Sequence, residues 1–331
     1  MSLGSVMEQS RNGTRAGGIS DVLFRSNSRG FDSIAPVPTN IDAIETALLF
    51  SSGLLTFGAL LGPSGWGKSH LLEAASERLQ HESGAVVPVT NALDWVHQHA
   101  WHDSHGAVIL DNVQDVLSRP KVATHLHLLL ERRVKSGRPT LIALTAPKVT
   151  RQLKLTIPCG RRWTYATLGA PGREEREPII RHIGFREGLT LSDELVRIMS
   201  RRVSGDGRTL VGALKRLKLV QTRWIGPEGV LRGCGVLEPF FGGAAGWDLR
   251  DHIMEAAERF PTSINRLQLA GYVMLRVASL PEANIARYLS VEPAELYCMA
   301  NRFGRQTKDC EHTTNQLHEF VERVVRGLER D

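Results

Sequence analysis

Residues 54–79 read LLTFGALLGPSGWGKSHLLEAASERL, a continuous apolar run that breaks at Gly62-Pro63-Ser64-Gly65-Trp66-Gly67-Lys68-Ser69 and resumes with helical spacing from His70-Leu71-Leu72. The apolar run predicts a buried strand over about Leu54–Leu61, and the resumed periodicity predicts a helix. Between them lies a complete G-x-x-x-x-G-K-[ST]. Gly62, Gly65 and Gly67 leave the backbone free to curl, so that successive N–H groups turn toward phosphate oxygens while the positive end of the following helix adds to the attraction. Lys68 is then expected at the β- and γ-phosphates and Ser69 at a magnesium ion. A glycine-rich turn without a ligand is the bland alternative; strand before, helix after and full spacing favour a phosphate loop.

Working outward, Ala107-Val-Ile-Leu-Asp111 is a short apolar run ending in an acid, the pattern of a buried parallel strand that delivers a carboxylate to the sheet edge. Asp111 is expected to share the magnesium with Ser69. Position 112 is Asn, where hydrolysing proteins of this architecture usually carry a second carboxylate, so hydrolysis is expected to be weak or absent, with Asp115 a partial substitute. Pro139-Thr-Leu-Ile-Ala-Leu-Thr145 is another buried strand, and its terminal hydroxyl makes Thr145 a candidate γ-phosphate sensor. Val86–Thr90 reads as a further strand, and helices are expected from Asn40 and over Lys121–Val134. His97, His99, His102 and His105 crowd one helix end, but their spacing places no three on one face and no cysteine joins them, which favours a solvated helix end over a metal site.

After these alternating elements the pattern turns purely helical. The fold class is therefore α/β, a P-loop parallel sheet with a helical lid followed by a small all-α domain. The lid helices are expected at about Arg173–Ile183, Ser192–Arg202 and Gly207–Gln221, and Arg208 at the start of the third would fold over the nucleotide phosphates. Residues 222–247, rich in Gly with Pro227 and Pro239, read as a linker with an embedded apolar anchor. Beyond it, LPEANIARYLSVEPAELYCMANR has the pattern of a helix-turn-helix. Ile285, Ala286 and Leu289 face a core, Ser290-Val291-Glu292 turns, and Pro293–Arg302 is offered to a groove.

Composition narrows the function classes. The chain has 331 residues, 42% hydrophobic and 23% charged, enough for more than one domain. It has no 18-residue apolar run and no hydrophobic signal core, so no membrane association and a cytoplasmic location are expected. Four well-separated cysteines suit reduced thiols better than a zinc ribbon or disulfide framework. The net charge is +6, but its distribution is uneven: residues 119–223 hold 23 basic and 8 acidic side chains, whereas the segments on either side are net acidic. That basic middle suits the phosphates of a nucleic acid.

Several separated matches carry a family resemblance. GWGKSHLLEA, VILDNVQDV and GRTLVGALKRL resemble the P-loop, Walker B and sensor II segments of the AAA+ replication-initiator family, DnaA and its shorter relative Hda. The Asp-Asn pair is closer to Hda. The match spans about residues 31–221 well and 248–328 less firmly. It implies ATP or ADP with Mg2+ as cofactors, held by Gly62, Pro63, Ser64, Gly65, Trp66, Gly67, Lys68, Ser69 and His70. It implies Asp111, Thr145 and Arg208 as the residues that read the phosphates. By similarity, the segment APKVTRQLKLTIPCGRRW holds an arginine finger, Arg162 with Arg161 second, which would complete a neighbouring subunit's site.

For DNA contact, the helix-turn-helix register implies Glu295, Asn301, Arg302 and Arg305, whereas the family's His-Thr-Thr signature falls later, at His312, Thr313 and Thr314. The implied organisation is a flexible arm at 1–30, an AAA+ α/β domain at 31–170, its lid at 171–221, the linker at 222–247 and a DNA-binding domain at 248–331. The family's helicase-recruiting N-terminal domain has no counterpart in the arm. The implied function is nucleotide-dependent assembly on double-stranded DNA to control replication initiation, with self-association through the finger and, as partners, replication or transposition proteins. The rival readings are a non-hydrolysing DNA-binding transcriptional regulator, favoured by Asn112, and a helicase-loader or transposition-type ATPase of a mobile element.

Overall fold

Strand β1 (Phe57–Gly62) is buried along its whole length, as an uninterrupted apolar run requires. In the computed structural model the described residues are 30–84, 86–98, 106–146, 148, 153, 156–241, 248–262 and 264–330. The arm expected over 1–30, apart from Gly30, lies outside them, as do His99, His102 and His105 and residues 242–247. The chain divides into two compact units. The first takes in residues up to Ile34, Asn40–Pro63 and Gly67–Leu168; the second takes in Ala35–Thr39, Ser64–Trp66 and the chain from Gly169 onward.

In the first unit, helix α1 (Ile41–Ser51) precedes β1, and α2 (Lys68–Ser83) follows the phosphate loop. Then come β2 (Val89–Asn91), α3 (Ala92–Gln98), β3 (Val108–Asp111), α4 (Val113–Leu117), α5 (Pro120–Lys135), β4 (Thr140–Thr145) and β5 (Thr164–Thr167). The five strands are parallel in the order β2-β3-β4-β1-β5. Successive side chains alternate between the faces. Leu60, Ile109, Leu141 and Ala143 pack with Ile44, Leu48, Leu71 and Leu72 of α1 and α2. Ala59, Leu61, Leu110, Ile142 and Leu144 pack with Trp95, Val113, Leu126 and Leu130 of α3, α4 and α5. Both faces of the central strands β3, β4 and β1 are thus closed to water, and their polar groups are left to the strand ends.

One member of the basic middle is internal. Arg133 is fully buried on α5, where Nε donates to Thr140 Oγ1 at 2.8 Å and Nη2 donates to the carbonyls of Gly106 (2.6 Å) and Pro139 (2.8 Å). Its charge ties α5 to the entry of β4 and adds nothing to the surface field.

The second unit opens with α6 (Arg173–Arg186), β6 (Thr190–Leu191), α7 (Asp193–Arg202) and α8 (Gly207–Val220). Ser192 caps α7 by accepting from the Leu195 N–H, and Asp206 caps α8 by accepting from the N–H groups of Arg208 and Thr209. Strand β7 (Arg223–Trp224) pairs with β6 in parallel.

The stretch 222–247 departs from expectation. It contains helix α9 (Gly226–Leu237), in which Val230, Leu231, Cys234 and Leu237 are buried at helical spacing. The glycines that suggested a linker are contact points. A Cβ on Gly233 would meet Leu195 at 2.9 Å, and one on Gly235 would lie 1.9 Å from the Ala278 carbonyl oxygen. Small residues here let a helix pack closely instead of leaving the chain loose.

After α9 come α10 (Leu249–Arg259), α11 (Arg266–Tyr272) running into a π-helical turn at Val273–Val277, α12 (Glu282–Leu289), α13 (Pro293–Asp309) and α14 (Glu311–Arg330). Helix α13 is longer than expected because Gly304 does not end it. Helix α14 buries Leu317, Phe320, Val321, Val324, Val325 and Leu328 along one stripe. These side chains share one core with Ile180, Val196, Met199 and Leu214 from the lid helices and with Trp224 of β7. Arg197 of α7 donates to Glu329 of α14 at 2.8 Å. The lid and the C-terminal helices are therefore one packed body, joined through α9.

Gly235→Ala is expected to lower the stability of this unit by about 1–3 kcal/mol, because the added methyl meets a backbone carbonyl that cannot move cheaply. Urea unfolding followed by far-UV circular dichroism reads the shift in midpoint; an unchanged midpoint contradicts the tight α9 packing.

Candidate functional site

Parallel strands all present their C-terminal ends to one edge, and that edge collects the sequence-derived candidates of the first unit. Gly62 ends β1 and Thr145 ends β4, directly opposite in register; Asp111 ends β3. Gly65 (φ +79°) and Gly67 (φ +98°) take the left-handed backbone that the loop's curl demands. Gly62 is required for a different reason: a Cβ there would sit 2.5 Å from the Leu168 carbonyl oxygen.

Lys68, the first residue of α2, is buried, and its Nζ donates to the carbonyls of Gly62 (2.8 Å) and Pro63 (2.7 Å), so the ammonium is held against the loop. Ser69 Oγ donates to Asp111 Oδ2 at 2.5 Å, and Asp111 Oδ1 accepts the Asn112 N–H at 2.7 Å. A hydroxyl and a carboxylate brought together from α2 and β3 are two hard oxygen ligands. That set fits Mg2+, which keeps several waters and completes its shell with phosphate oxygens. No cluster of three His, Cys, Asp or Glu side chains able to hold a metal occurs among the described residues.

His70 is placed otherwise. Its Nε2 lies 2.5 Å from Ser33 Oγ, so it holds the segment before α1 against α2. Pro63 is half-buried in the loop, whereas Ser64, Gly65 and Trp66 group with the second unit. There the Arg176 guanidinium stands 5.9 Å from the Trp66 ring centre. Arg208 is exposed in the first turn of α8. Arg162 lies in a 3-10 turn (Gly160–Arg162) before β5; it is exposed, and its Nη1 donates to the Val134 carbonyl at 3.0 Å. Arg161 beside it is also exposed.

Gln114 escaped the sequence reading. Its Oε1 accepts the Thr145 backbone N–H at 2.9 Å, and its Nε2 faces Asn112 Oδ1 (3.3 Å) and Asp115 Oδ1 (3.4 Å). The only signal available was a polar residue in the first turn of α4, and nothing in the sequence pairs it with a residue 31 positions away.

In the second unit, α12 and α13 are joined by a tight turn with Ser290 left-handed (φ +55°). Leu296, Ala300 and Phe303 anchor α13, with Tyr272 and Phe303 ring centres 4.9 Å apart, while Glu295, Asn301, Arg302 and Arg305 are exposed. Asn301 Oδ1 accepts from Arg276 Nη2 at 3.1 Å, and Arg276 also stands 5.7 Å from the Tyr297 ring centre. The His-Thr-Thr run opens α14, not the helix after the tight turn. His312 is exposed, but Thr314 Oγ1 donates to the Thr307 carbonyl at 2.6 Å, joining α14 to α13.

Comparison with solved structures follows from this geometry. Domain III of the Thermotoga maritima replication initiation protein DnaA aligns with a TM-score of 0.52 at 18% identity, over 63% of this chain and 95% of that one. AMPPCP-bound DnaA from Aquifex aeolicus aligns with a TM-score of 0.50 at 16% identity, over 89% and 96%. The strand order and the phosphate loop on β1 agree with the likeness. This is the AAA+ P-loop fold. At such identities the AAA+ likeness speaks to architecture. No protein-family model matches the sequence, and no curated protein matches it. No helix among the described residues is long and apolar enough to cross a membrane.

The four cysteines are free, and their environments differ. Bonds from Thr313 and from the Thr313 and His312 backbone lower the pKa of exposed Cys310, whereas burial pushes Cys234 up to about 12. A lowered pKa means more thiolate at a given pH. Under native conditions at about pH 7, Cys310 is therefore expected to be alkylated ahead of Cys159 and Cys298, and Cys234 to stay unmodified. Peptide mass spectrometry after a short iodoacetamide pulse checks this, and uniform labelling of the three exposed thiols would contradict the α13–α14 junction described above.

Proposed function

We propose that this chain is an ATP-binding AAA+ protein of the DnaA type that assembles on double-stranded DNA in a nucleotide-dependent way, in control of replication initiation. The observation that carries the reading is the convergence of Ser69 and Asp111, 2.5 Å apart, beside Lys68 at the mouth of a complete phosphate loop. The Aquifex aeolicus DnaA structure with the same architecture holds AMPPCP, which supports a nucleotide here.

The residues divide the work. The loop N–H groups and Lys68 take the phosphates, Ser69 and Asp111 take Mg2+, and Thr145 and Arg208 read the terminal phosphate. Ser69 and Asp111 would hold the ion, which would supply positive charge to offset that of the phosphates. Arg162, with Arg161 beside it, would serve a neighbouring subunit's nucleotide; its bond to a backbone carbonyl is one that a phosphate oxygen would outcompete. Helices α12 and α13 form the helix-turn-helix, with Glu295, Asn301, Arg302 and Arg305 toward the groove and His312 and Thr313 flanking it. ATP would thereby favour an ordered oligomer on the duplex, and the coupling would be reciprocal.

A second reading, a DNA-binding regulator that holds ATP without turnover, is favoured by Asn112. A carboxamide cannot act as the base that a second carboxylate supplies.

Fluorescence anisotropy with a mixed duplex pool at fixed salt separates the two. Assembly predicts that ATP tightens binding roughly tenfold over ADP or no nucleotide. It also predicts that Arg162→Ala, or the Arg161/Arg162 double variant, abolishes the gain. Equal binding in all three states would leave the regulator; no binding to duplex DNA would remove both.

A further inference from the structure

The end of β4 fixes a chain of donors and acceptors that runs back to the end of β3. The Thr145 backbone N–H can only donate, so Gln114 must present its Oε1 to it, as the 2.9 Å contact requires. The other arm of the Gln114 carboxamide is then an NH2 group, which can also only donate. Asn112 lies 3.3 Å away and must meet it with Oδ1. The amide nitrogen of Asn112 is thereby turned away from Gln114. The Asn112 backbone is held left-handed (φ 56°, ψ 40°), and its N–H is fixed on Asp111 Oδ1 at 2.7 Å, so the residue has little freedom to reverse this.

Two neighbours place the oriented carboxamide beside the phosphate loop. Asp111, adjacent in the chain, is bonded to Ser69, and Thr145 lies opposite Gly62 in register. We propose that Gln114 is a specificity-determining positioning residue: it sets the polarity of Asn112 so that the end of β3 offers an N–H donor to the terminal phosphate of a bound nucleoside triphosphate. This rests on the nucleotide-site reading above and deepens it. An N–H donor stabilises the anionic γ-phosphate but takes no proton from water, so the site distinguishes triphosphate from diphosphate by binding rather than by turnover.

Gln114→Glu tests the relay because it keeps the size and the Thr145 bond while replacing the donor arm with an acceptor. Asn112 must then turn its NH2 toward the introduced carboxylate, which brings Oδ1 round to the phosphate side. Isothermal titration calorimetry with AMPPCP and with ADP, each with Mg2+, would be run on the full chain, Gln114→Glu, Asn112→Ala and the double variant, with thermal melts confirming that each is folded. The expected result is a loss of about tenfold in AMPPCP affinity in each single variant with ADP affinity unchanged, and no additional loss in the double variant.

An equal loss for both nucleotides in Gln114→Glu would overturn the proposal, since it would mark a structural role. A loss that persists when Asn112→Ala is already present would also overturn it, since it would mark plain repulsion by the new carboxylate. Absence of nucleotide binding in the unsubstituted chain is a separate outcome. It would remove the nucleotide-site reading itself, and the relay with it.

Discussion

Burial of the parallel sheet on both faces is the constraint from which the rest of the first unit follows. The three central strands, β3, β4 and β1, are runs of mostly apolar residues, so α1 and α2 must cover one face and α3, α4 and α5 the other. Within these strands polar side chains are confined to the ends, and in a parallel sheet the carboxyl ends share one edge. Asp111 and Thr145 stand there because burial relaxes at the ends of β3 and β4, and Gly62 ends β1 between them and the close Leu168 carbonyl. The 2.5 Å contact between Ser69 and Asp111 then joins the helix after β1 to the end of β3, and the chemistry of the site is concentrated in those few residues.

The second unit is organised by close approach. The lid helices, α9 and the C-terminal helices share one apolar core, and the approach of α9 to its neighbours depends on glycines whose Cβ atoms would collide with Leu195 and with the Ala278 carbonyl. A helix such as α13, held at its buried face by Leu296, Ala300 and Phe303 and supported by α11 and α14, presents its exposed residues on a rigid body.

How much of this could be read beforehand depended on whether the determining interaction was local. The strand–loop–helix around Gly62–Ser69 was legible because its glycine spacing is written in consecutive residues and in the two elements flanking them. Asp111 and Thr145 were legible because a buried strand that ends in a polar residue is itself a local pattern. The stretch 222–247 was misread because glycine signals flexibility and tight packing with the same letter; only the helical spacing of Val230, Leu231, Cys234 and Leu237 distinguished them. Gln114 could not be found, since its partner Thr145 is remote in sequence. The two competing registers near the C-terminus required coordinates as well: Thr314 is engaged at the α13–α14 junction, which nothing in the His-Thr-Thr run announces.

A nucleotide held by the loop from Gly62 to Ser69 would depend on Lys68, whose ammonium is already held against that loop. Isothermal titration calorimetry of Mg·ATP into the full chain is predicted to show one site per chain, and in Lys68→Ala the affinity is predicted to fall about 100-fold. Binding that is unaffected by Lys68→Ala, or no binding by the unsubstituted protein, would contradict the account.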